Sequence, residues 1–222
     1  MSVYADHAAG TPTDPQIIAA MLPYLKESFG NPSSLHAYGR NSAEAIDEAR
    51  ETIAKYLNAQ SSEIYFTSSG TESNNIAILG VARANKNQGS KIVTTNIEHP
   101  SVLNSCRALE KDDFEVNYVK ALPNGLVDLL KLVAAVDDET ILVTIHLANS
   151  EIGVVQDIAS IASVVKKRNP NTLVHVDACQ ASSYLDLDVK KLGVDLLTFN
   201  GSKIYGPKGC AILYVRDGVN IF

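Results

Sequence analysis

Short apolar runs alternate with amphipathic stretches from about residue 63 onward, and few architectures accept that pattern. Strands are expected over 63–67, 91–95, 114–119, 140–146, 173–176, 194–199 and 210–215. Helices are expected between them, one opening at Ser68-Ser69-Gly70-Thr71-Glu72-Ser73 and others covering about 100–111, 128–136 and 158–168. Strands and helices alternating at this spacing imply a three-layer α/β/α fold, a mostly parallel sheet with helices on both faces. The region before it reads differently. Residues 1–13 look extended and end in the turn-forming Gly10-Thr11-Pro12-Thr13. Asp14 then caps a helix with Pro15 in its first position and Ile17, Ile18, Met21, Leu22 and Leu25 at helical spacing. After a connector over 28–34, rich in Gly, Asn, Pro and Ser, a long amphipathic helix is expected over 42–58 on Ile46, Ala49, Ile53, Tyr56 and Leu57.

A chain of 222 residues that is 45% hydrophobic and 20% charged has the composition of a globular domain with a sizeable core. Its net charge of −6 is spread over interspersed residues with no basic stripe, which argues against nucleic acid or an anionic membrane as partner. No apolar run approaches a membrane span, and residues 1–6 lack the basic start and apolar middle of a signal peptide, so a cytoplasmic protein is expected. Cys106, Cys179 and Cys210 are odd in number and widely spaced, which fits reduced, mostly buried thiols. The five histidines show no metal-ligand spacing, and no metal site is expected.

In an open α/β sheet, ligands bind beyond the carboxyl ends of the strands. Gly70 and Thr71 fall there after the first expected strand, His99 after the second, Asn149 after the run ending near His146, Asp177 after Val176, and Lys203 after Phe199. Lys203 stands in the tight turn Asn200-Gly201-Ser202-Lys203-Ile204-Tyr205-Gly206-Pro207-Lys208-Gly209. An amine held in such a turn can be made into a nucleophile, and Lys203 is read as an imine-forming lysine rather than a solvated turn lysine. A Walker phosphate loop does not fit, because Pro207 stands where its lysine should be.

The helix start at 68–71 offers backbone N–H groups, hydroxyls and a dipole that suit a phosphate, and suits a plain helix cap equally well. His99 could lie over a planar cofactor and move protons near neutral pH, or simply cap its helix. Asp177, ending a buried strand, needs a hydrogen-bonded or cationic partner to stay charged, whether for function or as a structural ion pair. An amine for a Schiff base, a carboxylate for a pyridinium nitrogen, a helix start for a phosphate and a ring to stack are together what pyridoxal phosphate requires.

At these residues the chain resembles the cysteine desulfurases of the NifS/IscS type, in the class-V branch of fold-type-I pyridoxal-phosphate enzymes. The matching segments are Tyr4-Ala5-Asp6-His7-Ala8-Ala9, Phe29-Gly30-Asn31-Pro32-Ser33-Ser34 and Phe66-Thr67-Ser68-Ser69-Gly70-Thr71-Glu72-Ser73-Asn74-Asn75, then Glu98-His99. Further on they are Ala148-Asn149-Ser150-Glu151-Ile152-Gly153-Val154-Val155-Gln156, His175-Val176-Asp177-Ala178-Cys179-Gln180 and Lys203-Ile204-Tyr205-Gly206-Pro207-Lys208-Gly209. The resemblance implies a mixed, mostly parallel sheet. It implies that Lys203 carries pyridoxal 5'-phosphate and later moves protons, that His99 stacks on the ring and that Asp177 pairs with the pyridine nitrogen. Asn149 and Gln180 would contact the phenolic oxygen, and Gly70, Thr71, Asn200 and Ser202, with Gly201 in the same turn, would bind the phosphate. It further implies conversion of L-cysteine to L-alanine with the sulfur left as an enzyme persulfide, for an iron–sulfur scaffold or an RNA-thiolation factor, by a homodimer.

There are departures. Asn200-Gly201-Ser202 replaces the common Ser-Gly-His before the lysine, so hydroxyl and amide groups replace a possible imidazolium. Asn149-Ser150-Glu151 replaces Asn-Asn-Glu. By the same resemblance residues 1–13 belong to a small domain and 14–222 to a cofactor-binding large domain that is incomplete at its carboxyl end. None of the three cysteines falls at the sulfur acceptor's position, so desulfuration by this chain alone is not expected. The rival readings are another class-V enzyme, such as a selenocysteine lyase or small-amino-acid aminotransferase, and a catalytically silent binding module.

Overall fold

The structure, a computed structural model, describes residues 2–221; Met1 and Phe222, the outermost positions of the spans 1–13 and 14–222, lie outside them. Seven strands among the described residues form one sheet: β1 (Ile64–Thr67), β2 (Lys91–Thr95), β3 (Glu115–Val119), β4 (Thr140–His146), β5 (Leu173–Asp177), β6 (Leu196–Asn200) and β7 (Ala211–Val215). They lie in the order β1-β7-β6-β5-β4-β2-β3. All pairs from β6 through β3 are parallel, whereas β7 runs antiparallel to both β6 and β1. Only β7 is reversed, and the cause is local. The turn at 201–210 is too short for a crossover, so the chain must return alongside β6 in the opposite sense. Six strands therefore present their carboxyl ends at one edge.

The helices are α1 (Pro15–Lys26), α2 (Ala37–Leu57), α3 (Gly70–Ala84), α4 (Pro100–Lys111), α5 (Leu129–Ala135), α6 (Ile158–Arg168) and α7 (Val189–Leu192). Asp14, Ser69, Asp128, Asp157 and Asp188 cap their helices by accepting a backbone N–H, each worth about 1 kcal/mol. Side chains of each strand alternate between two cores. On β7, Ile212 and Tyr214 join the one under α5 and α6, while Leu213 and Val215 join the one under α3 and α4. All seven residues of β4 are buried, as a central strand covered on both faces requires. Each large aliphatic side chain so enclosed contributes roughly 1.5–3 kcal/mol.

The expected fold is present, with differences at the margins. The helix expected over 42–58 begins already at Ala37, because His36 Nδ1 accepts the Gly39 N–H at 3.3 Å and caps it. β5 runs one residue further than expected, placing Asp177 in the sheet between His146 and Thr198. The short α7 was not foreseen; four residues carry no helical period to read. Residues 2–13, expected to be extended, form no strand and turn at 7–9. The segment is tied to the turn after β6 by Thr11, whose N–H (2.9 Å) and hydroxyl (3.1 Å) donate to the Ser202 carbonyl, and just beyond it the Asp14 N–H donates to the Tyr205 carbonyl (2.9 Å). α1 has the expected apolar stripe, yet none of its residues is buried.

Candidate cofactor site

At the carboxyl edge of the sheet lies a cavity of about 530 Å³, within the size range of cofactor sites. Gly70, Thr71, His99, Asn149, Asp177, Gln180, Asn200, Ser202 and Lys203 all line it. They come from five separate chain segments, brought together because β1, β2, β4, β5 and β6 end at this edge. Gly201 does not line it. It packs instead inside the turn, where a Cβ would stand 3.2 Å from the Pro207 carbonyl and 3.4 Å from that of Cys210.

That turn fixes Lys203. Gly206 lies so close to Gly201 that a Cβ on it would come within 2.9 Å of the Gly201 carbonyl. Tyr205 adopts φ of 61°, a left-handed conformation that costs a non-glycine residue about 1–2 kcal/mol. It is held there from both sides, its N–H donating to Thr11 Oγ1 (2.7 Å) and its carbonyl accepting from Asp14. Lys203 Nζ donates to the carbonyls of Ala8 (2.5 Å) and Ala9 (2.6 Å), and Gln180 Nε2 donates to the same Ala8 carbonyl (2.9 Å). A smaller cavity of about 170 Å³, bounded by His7 and Tyr184, shares Cys179, Gln180 and Lys203 with the first. The amine therefore stands in the wall between the two.

Asp177 is buried and both its oxygens are engaged, Oδ1 by the Cys179 N–H (3.0 Å) and Oδ2 by Asn74 Nδ2 (2.7 Å). His99 caps α4, and its Nδ1 accepts the Ser101 N–H at 3.1 Å. A backbone N–H can only donate, so the ring proton is placed on Nε2. Ser69 caps α3 by accepting the Glu72 N–H (3.1 Å), and the Glu72 carboxyl is held below its ordinary range by the Ser68 N–H and hydroxyl. The segment is a well-made cap, and its next two residues, Gly70 and Thr71, line the cavity. Asn149 turns its Oδ1 back to the N–H groups of Glu151 (2.9 Å) and Ile152 (3.2 Å) and donates from Nδ2 to the Ile97 carbonyl (3.1 Å). It thereby joins the loops after β4 and β2. Asn200 lines the cavity, and its Oδ1 is buried without a partner.

Among the wall residues not named as site residues from sequence are the polar groups Asn74, Glu98, Ser101 and His146. Asn74 could have been found, since it lies one turn beyond Gly70 on the same face of α3. Glu98 and His146 are buried 2.9 Å apart, at ion-pair distance but off the direction of a good hydrogen bond. Glu98 also accepts from Thr95 Oγ1 (2.5 Å). Burial presses the His146 pKa down, but the carboxylates of Glu98 and, beyond it, Asp177 outweigh that and leave it raised. The three thiols are pushed up by burial: Cys106 to about 12, Cys179 well above its ordinary value with the Asp177 charge adding to the effect, and Cys210 less. No helix is long and apolar enough to cross a membrane among the described residues.

An amine, a carboxylate, an imidazole and a helix start around one cavity are a donor set that fits pyridoxal phosphate. The relatives agree in kind. The cysteine desulfurase IscS of Clostridium botulinum is 44% identical over 219 residues, covering 99% of this chain and 55% of its own length. That of Methanosarcina thermophila is 46% identical over 220 residues, covering 99% and 54%. Among solved structures, a NifS-like protein superposes with a TM-score of 0.97 at 40% identity, over 100% of this chain and 60% of its own. SspA in complex with cysteine superposes at 0.93 with 40% identity, over 97% and 62%. The chain thus spans about 55% of the length of the curated relatives it matches. The family model for aminotransferase class-V matches residues 3–220, and the chain belongs to that family.

Proposed function

We propose that this chain is the pyridoxal-phosphate-binding part of a cysteine desulfurase, an enzyme that takes L-cysteine to L-alanine and passes the sulfur on as a persulfide. The observation that carries this reading is the single cavity in which Lys203, Asp177, His99 and the start of α3 meet. Relatives named cysteine desulfurase, and a structural neighbour solved with cysteine, support the substrate. Pyridoxal phosphate supplies an electron sink for the bonds around the substrate's amine-bearing carbon.

The residues divide the work. Lys203 anchors the cofactor and, once released, carries protons at Nζ. Asp177 lies where a carboxylate would hold a proton on the pyridine nitrogen, and the N–H and amide donors on its two oxygens keep it aimed. His99 offers a flat ring with its proton on Nε2. Gly70 and Thr71, with the dipole of α3 behind them, bind the phosphate together with Asn200 and Ser202, and Gly201 shapes the turn that brings these close. Asn149 and Gln180 contact the phenolic oxygen. Residues 1–13 are assigned to a small domain and 14–222 to the large, cofactor-binding one.

None of the three thiols is proposed as the sulfur acceptor, because burial keeps each protonated at neutral pH. The sulfur would go to an acceptor protein serving iron–sulfur cluster assembly or RNA thiolation. The working unit would be a homodimer, for which the exposed apolar residues Leu22, Leu25, Phe29 and Leu35 supply surface. Adding pyridoxal phosphate to the chain should produce a visible absorption band that Lys203→Ala abolishes. No band, or one unchanged in the variant, would overturn the reading.

A further inference from the structure

We propose that Asn74 is a positioning residue that couples the Asp177 carboxylate to the His99 imidazole through the hydroxyl of Ser101. The inference rests on the reading above, in which those two groups hold pyridoxal phosphate from the nitrogen and the face of its ring. Asn74 is 1% exposed and sits one turn into α3. Its amide has two hydrogens, and both are used within the site: Nδ2 donates to Asp177 Oδ2 at 2.7 Å and to Ser101 Oγ at 2.9 Å. Ser101 Oγ, having accepted from Asn74, keeps its own hydrogen for His99 Nδ1, 2.7 Å away.

The direction of the chain is determined at its far end. Because the Ser101 N–H already donates to His99 Nδ1, that nitrogen is an acceptor, so the hydroxyl must donate to it and must receive from Asn74. Flipping the Asn74 amide would set its oxygen against a carboxylate. Every donor is therefore assigned, from Asp177 through Asn74 and Ser101 to His99. The arrangement leaves Asn74 Oδ1 buried with no partner, a loss that an asparagine kept only for packing would have no reason to bear. α3 thus has two tasks in the same site. Its first residues face the proposed phosphate position, and its next turn locks together the groups that orient the ring.

The test uses transmission along the chain, which a merely structural asparagine would not provide. In the cofactor-free protein with nitrogen-15-labelled histidine, Asp177→Asn should shift the His99 Nδ1 resonance. The shift should vanish when the same change is made in Asn74→Ala or in Ser101→Ala, and should persist in Ser101→Thr, which keeps the hydroxyl. Should Asn74→Ala fail to fold, the Ser101→Ala and Ser101→Thr arms decide alone. An unchanged His99 resonance in Asp177→Asn, or a shift that survives Ser101→Ala, overturns the coupling. With cofactor added, Asn74→Ala should raise the half-saturating concentration of pyridoxal phosphate roughly tenfold, the scale of one hydrogen bond to a charged group, and Ser101→Thr should not. A chain that takes up no cofactor at all would refute the functional reading while the spectra still judge the coupling.

Discussion

Gly70, the first residue of α3, stands directly over the sulfur of Cys179: a methyl group on its Cα would come within 2.5 Å of Sγ. The two residues belong to segments after β1 and β5 and meet only because those strands end at the same edge of the sheet. Asn200 Nδ2 closes the space from a third side, at 3.3 Å from the same point. Gly70→Ala should therefore push either the thiol or the first turn of α3 out of place. Overpacking of this kind costs about 1–3 kcal/mol, read as a lower unfolding midpoint, and cofactor uptake should weaken with it. Removing the sulfur as well, in Gly70→Ala with Cys179→Ala, should restore most of both. If the double variant is no better than the single one, the clash is not the cause.

Acid should weaken the fold through His175. Its ring is fully buried in the sheet, with Nδ1 2.8 Å from Thr144 Oγ1 and Nε2 3.1 Å from Thr198 Oγ1, and burial lowers its pKa from 6.5 to about 4. The folded state keeps this histidine neutral where the unfolded chain would bind a proton. Its contribution to stability is present above pH 6.5 and is lost as the pH falls from there towards 4. Between pH 7 and 5 the loss should be about 2 kcal/mol. Urea unfolding at those two pH values should show it, and His175→Gln should remove that share of the difference. An equal fall in the variant would assign the acid sensitivity elsewhere.

Much of this was legible in the sequence because its signals are local. Alternating periods of two and of about three and a half residues mark the strands and helices, and each polar position proposed for the site lies at or shortly beyond the carboxyl end of a strand. The reversed β7 was not read from periodicity, since an apolar run carries no direction; the shortness of the turn from Gly201 to Cys210 was the available clue. The path of residues 2–13 escaped because its partners, the Ser202 and Tyr205 carbonyls, lie some 190 positions away in the chain. Glu98 and His146 escaped for the same reason: each is an ordinary residue until the other is seen beside it. The spacing of Ile17, Ile18, Met21, Leu22 and Leu25 marks the apolar stripe of α1, but spacing cannot say what covers it.

That stripe gives the next prediction. Leu25 is 70% exposed and Leu22 41%, with Phe29 at 70% and Leu35 at 92% following them in sequence. If a second copy covers this surface, the chain should elute from gel filtration as a dimer, and Leu22→Asp with Leu25→Asp should convert it to a monomer without lowering helix content. A monomeric parent chain would remove this surface as the basis for the proposed homodimer.

Asp195 anchors the amino-terminal end of β6 to three neighbours. Its Oδ2 accepts the Val174 N–H (2.7 Å) and meets Lys166 Nζ (2.7 Å), while Oδ1 meets Arg216 (2.6 Å). The two cations are partly exposed and can turn to water when the carboxylate is lost, so most of the damage falls on the buried N–H. Asp195→Ala should accordingly destabilise by about 2 kcal/mol, the scale of one orphaned backbone donor. Asp195→Asn, which can still accept that bond, should lose less. Equal losses would shift the weight to the ion pairs.

The thiols provide a direct chemical check on where sulfur could go. A thiol held at about 12, as Cys106 is, has on the order of one molecule in ten thousand or fewer ionised at pH 7.5, and the thiolate is the nucleophile. Cys179 is raised well above its ordinary value by burial and by the negative charge of Asp177 beside it, against which Lys203 acts only in part. Cys210 is raised by partial burial alone. Iodoacetamide should therefore label Cys210 first and slowly, and Cys106 and Cys179 only when denaturant is added. Fast labelling of Cys179 in the folded chain would show an activated thiol beside the Lys203 amine, and the exclusion of these three as sulfur acceptors would then fail at that residue.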